Sequence, residues 1–97
     1  MRERTKKLAI PTSVKAKVFL RDNGQCVICG APGEPNAHFI PRSHGGLGIE
    51  ENIVTLCPAC HRWMDQTTDR GLLLGEVEKY LKGKYPNWDK TKLIYRK

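Results

Sequence analysis

No stretch of this sequence approaches the ~18 consecutive apolar residues of a membrane span. The charged opening MRERTKKLAIPT also lacks the apolar run of a secretory signal. Both absences lead to the expectation of a cytoplasmic protein with no membrane partner, in a compartment where thiols stay reduced. Acidic side chains are scarce: 10 Asp and Glu stand against 17 Lys and Arg, for a net charge of +7. In a small chain that balance favours a polyanionic partner, because each phosphate neutralised releases condensed counterions. Internal repeats and a domain linker are missing too, so the sequence reads as a single domain over 1–97. A chain of 97 residues buries only a modest core, and some additional staple is expected.

What is present is concentrated. All four cysteines and all three histidines fall between Cys26 and His61. The cysteines form two Cys-x-x-Cys hooks, Cys26 with Cys29 and Cys57 with Cys60. Reduced thiols in that pattern are expected to hold one structural Zn2+, which takes four such ligands in a tetrahedron, with Gly30 easing the turn after the first hook. Disulfides and a redox dithiol are the competing uses. The span of 30–56 between the hooks exceeds the ~15–20 residues of a simple zinc ribbon. The metal is therefore expected to hold the insert. Helical neighbours diverge by about 100°, so His61, beside Cys60, is expected to face away from that ion.

The local patterns give an order of elements. A basic arm over 1–11 (Arg2, Arg4, Lys6, Lys7) with little to pack precedes a helix that starts at Thr12 or Ser13 and stops at Asn23-Gly24. A short extended segment over 37–40 is followed by a glycine-rich loop over 42–48. A β-branched strand over 52–57 then leads into a helix opened by Pro58 and running to 66. An amphipathic helix over 71–84 is closed by Pro86. The parts are thus an arm over 1–11, a zinc-stapled core over 12–66, and a C-terminal helix and tail over 67–97. His61 and Asp65 stand one helical turn apart on the expected helix, a spacing suited to a divalent ion such as Mg2+ or Mn2+.

In sequence order, Cys26-x-x-Cys29-Gly, His38-Phe-Ile-Pro-Arg-Ser, Gly45-Gly46 and Glu51-Asn52-Ile-Val-Thr-Leu-Cys57-x-x-Cys60-His61 strongly resemble the HNH endonucleases, especially small phage and bacterial members with a four-cysteine zinc. The resemblance implies an α+β chain, a zinc-stapled ββα-metal fold with flanking helices. It also implies metal-dependent hydrolysis of DNA phosphodiesters, nicking or cleaving, with low sequence specificity. In that reading His38 is the general base, Asn52 braces the loop that carries the base, and His61 and Asp65 bind the catalytic Mg2+ or Mn2+. Arg42, close to the base in sequence, is a candidate contact to the scissile phosphate through its forked donors. One position departs from the pattern: Ala37 stands where many members carry a metal-binding Asp or His. That departure sustains an alternative, a non-catalytic zinc module that binds nucleic acid. Phage relatives further imply packaging proteins as partners.

Overall fold

A computed structural model of the protein describes residues 8–66 and 70–95, apart from the side chains of Asp65 and Gln66. Most of the expected basic arm, 1–7, lies outside the described residues. Its remainder packs: Leu8, ahead of the first expected helix, is buried.

Helix α1, Thr12–Arg21, follows Pro11, whose extended φ and ψ of −63° and 152° turn the chain into the first helical residue. It ends where Asn23 and Gly24 take positive φ values of 57° and 64°, the left-handed conformation that stops a helix. The first cysteine hook then turns tightly, with the Gly30 N–H donating to the Cys26 carbonyl at 2.9 Å and Gly30 at φ 82°.

Strand β1, Glu34–His38, pairs antiparallel with β2, Ile53–Leu56, in a two-stranded sheet. The register sets Ala37 opposite Val54 and His38 opposite Ile53, with a bulge between Glu34 and Ala37. The first strand therefore lies earlier than the 37–40 suggested by local composition. Pairing with β2 overrides the turn bias of Pro35, which a bulged edge strand tolerates. All four residues of β2 are buried. Helix α2, Pro58–Gln66, leaves directly from the second hook, and α3, Arg70–Lys84, packs Leu73, Val77 and Leu81 into the core beside it. This is a ββα unit with one helix before and one after it, an α+β architecture. No helix among the described residues is long and apolar enough to cross a membrane.

Two features beyond the hairpin hold it in place. Asp22, 7% exposed, accepts from the Arg21 guanidinium at 2.7 and 3.0 Å, from the Thr55 N–H of β2 at 2.9 Å, and from the Tyr80 hydroxyl of α3. Arg21 also reaches the Glu50 and Ile53 carbonyls at 2.8 and 2.7 Å, so one ion pair ties α1 to the sheet and to α3. Burial alone would push the Asp22 carboxyl up, but the donors from Arg21 and Tyr80 hold it below the usual carboxylate range. The C-terminal tail also packs down. Trp88 donates its indole N–H to the Glu51 carbonyl at 2.8 Å and sets its ring edge-on to Phe39. Leu93 is buried, and its carbonyl accepts from the Leu47 N–H of the glycine loop at 2.8 Å.

Candidate active site

The hairpin and α2 bring the four sulfurs together. All lie within 4.8 Å of one another, and Cys29 and Cys57 are 3.6 Å apart. A tetrahedron with Zn–S bonds of about 2.3 Å has sulfur edges of about 3.8 Å, so the cluster is of the size that could hold a zinc ion. The chemistry of the set agrees. Burial pushes the Cys60 thiol well above its usual range and the neighbouring sulfurs add to that, while at Cys29 the Ala31 N–H pulls the thiol down but the Cys57 and Cys26 sulfurs and burial together carry it above its usual value. Cys26 goes the other way: burial opposes ionisation there, but backbone N–H groups bring the thiol down to about 7. Four thiols this close ionise together only around a cation.

Asn52 sits at the start of the return strand and is fully buried. Its side-chain oxygen accepts from the Ile40 N–H at 2.8 Å, and its amide donates to the Ile40 carbonyl at 3.2 Å and the Leu47 carbonyl at 2.9 Å. One amide thus joins the residues after His38 to the glycine loop. The loop needs its glycines for this closeness: a Cβ on Gly46 would lie 1.7 Å from the Ile40 carbonyl oxygen, and Gly45 has φ 83°.

His38 ends β1 half-buried, with Nε2 3.0 Å from the Leu8 carbonyl oxygen. A carbonyl only accepts, so Nε2 carries the proton and the neutral ring keeps its lone pair on Nδ1. Burial holds His38 below the ordinary imidazole value, the charge of Arg42 acts in the same sense, and the Leu8 bond acts against them. The ring is therefore neutral at neutral pH, the state able to take a proton.

His38 and His61 line one cleft of about 490 Å3, together with Asn36, Ser43, His44 and Arg70. The strand alternates, so Asn36 and His38 reach the cleft while Ala37 is 1% exposed in the core. Residue 37 therefore brings no ligand to it. Arg42 is not on this cleft but on an adjoining one of about 370 Å3, lined also by Lys15, Asn36 and His38. The Asp65 side chain lies outside the described residues. Three participants escaped the sequence: Lys15, Arg70 and the Leu8 carbonyl. The apolar Leu8-Ala9-Ile10 run within a charged arm was the one available signal for the last. For the two cations there was none.

Residues 26–63 match the family model of the HNH endonucleases. In an alignment 59 positions long that covers 50% of this chain, the sequence is 42% identical to the type IV methyl-directed restriction enzyme EcoKMcrA of Escherichia coli K12, covering 21% of that protein. In a second alignment, 39 positions long and covering 38% of this chain, it is 41% identical to anaredoxin of Nostoc sp. PCC 7120, covering 51% of it. The chain thus spans about a fifth and about half of these two relatives. The hooks gathered into one cluster, the paired strands and the start of the helix leaving the second hook all fall within residues 26–63, the segment that matches the HNH endonuclease family.

Proposed function

We propose that the protein is a metal-dependent DNA endonuclease that nicks or cleaves phosphodiesters with little sequence preference of its own. The observation that carries this reading is the cleft shared by His38 and His61, with Asn52 bracing the loop that leads away from the base. A water on the cleft side loses a proton to His38 Nδ1 as its oxygen attacks phosphorus. The bond from phosphorus to the 3′ oxygen breaks, and that oxygen takes a proton from solvent. His61 and Asp65 would hold Mg2+ or Mn2+, which when bound supplies Lewis-acid stabilisation of charge on the leaving oxygen. Arg42, with Lys15 beside it, supplies positive charge to the DNA backbone next to the base. Asn52 acts through position alone, and the four cysteines hold structural zinc.

The test is plasmid nicking by the full chain with Mg2+ or Mn2+, comparing wild type with His38→Ala. Cutting that disappears in the variant, with zinc content unchanged, supports the assignment. DNA binding without cutting in either protein would instead identify a non-catalytic zinc module.

A further inference from the structure

The Leu8 carbonyl comes from outside the family segment. It lies thirty residues before His38 in sequence, yet it holds Nε2 of the ring and leaves Nδ1 to act as the base. We propose that residues 8–10 are a strap that positions the general base, with the Leu8 carbonyl fixing both the tautomer and the orientation of His38. This inference rests on the endonuclease reading for its consequence, though not for its geometry.

The strap is anchored at two points. The Leu8 side chain is 4% exposed, so it is seated in the protein rather than lying on it. One residue later, the Ala9 carbonyl crosses the glycine loop so closely that a Cβ on Gly48 would lie 2.0 Å from its oxygen and 3.1 Å from the Ile10 Cα. Only a residue without a side chain permits that crossing. Gly48 follows Leu47, whose carbonyl accepts from Asn52 at 2.9 Å. The base is therefore held from two sides. Asn52 fixes the backbone that follows His38, and the strap fixes the far nitrogen of its ring. Both act through the same glycine loop, which makes Gly48 a structural requirement of the strap rather than of the hairpin. Ala9 and Ile10 also wall the cleft containing Lys15 and Arg42, so the strap borders the surface offered to the DNA backbone.

Without the strap the ring of a half-buried histidine can turn about its side-chain bonds, and Nδ1 no longer points steadily at the water. Misplacing a reacting group by about 1 Å can cost about 10²-fold in rate. Residues 8–10 are thus positioning residues, acting through the ring of His38.

The experiment uses the full chain and reads two signals, the His38 ring N–H resonance in water by NMR and the kcat and KM for plasmid nicking. In wild type a ring N–H on Nε2, protected by the Leu8 bond, is expected to persist at neutral pH. Leu8→Asp unseats the strap and Gly48→Ala pushes on Ala9. Each is expected to abolish that resonance while the Trp88 indole N–H remains, and to lower kcat about 10²-fold with KM changed less than about twofold. Leu8→Met, which keeps an apolar anchor, restores both signals. If one variant loses the Trp88 resonance through unfolding, the other is decisive. A wild-type ring that shows no protected N–H overturns the proposal, as does a ring N–H that survives both substitutions. A protected N–H that responds as expected in a protein that cuts no DNA leaves the strap standing and removes the endonuclease reading.

Discussion

Replacing Asn52 with alanine tests the brace that joins the residues after His38 to the glycine loop. The substitution deletes three hydrogen bonds to backbone, to the Ile40 N–H, the Ile40 carbonyl and the Leu47 carbonyl, at a position with no solvent exposure. Each is worth about 1 kcal/mol net, and the orphaned groups have no water to turn to, so the loss is about 3 kcal/mol. A domain of this size shifts its melting midpoint by about 4–8 °C per kcal/mol, which gives a fall of about 12–24 °C in a thermal scan. Asn52→Asp sharpens the test. It keeps the acceptor for the Ile40 N–H but turns a charged oxygen toward two carbonyls, so it should be at least as damaging at pH 7 and should recover as acid protonates the new carboxyl. A midpoint within about 4 °C of wild type for Asn52→Ala would refute the brace, whatever happened to cleavage.

Three further outcomes are expected. Because burial holds His38 below the ordinary value of 6.5, the rate of nicking should rise with pH at a midpoint below 6.5 and be level at neutrality; a rising limb centred above 6.5 would count against His38 as base. Asp22 is held below the usual carboxylate range when folded, so its contribution is present above about pH 4 and is lost as pH falls through that range; Asp22→Asn should cost about 3 kcal/mol at pH 7 and flatten the acid side of the stability curve. Atomic absorption should find one zinc per chain, and a strong chelator should unfold the protein by circular dichroism, since structural zinc in small domains carries an apparent ~10–16 kcal/mol; a metal-free chain with an unchanged spectrum would show that the thiols are not a staple.

The cysteine cluster was legible because its chemistry is local. Cys-x-x-Cys is a statement about one turn of chain, and it can be read without knowing the fold. The strand boundaries were harder. Residues 31–35 carry two prolines and a glycine, yet β1 begins at Glu34 because β2 supplies the partner. The same limit applies to the arm, where local sequence offered little to pack, yet Leu8 is buried and the Ala9 carbonyl crosses the glycine loop at Gly48.

By itself the sequence determined the cysteine cluster and the order of hairpin and helix, since each follows from residue type and short-range spacing. The tertiary structure alone decided which nitrogen of His38 is free, that Ala37 turns to the core while Asn36 turns to the cleft, that Arg42 and Lys15 share a second cleft, and that Arg21 and Asp22 tie three elements together. Those facts depend on segments far apart in sequence meeting at distances of about 3 Å, and a hydrogen bond between residues 8 and 38, or 22 and 80, leaves no periodicity in the chain from which it could be read.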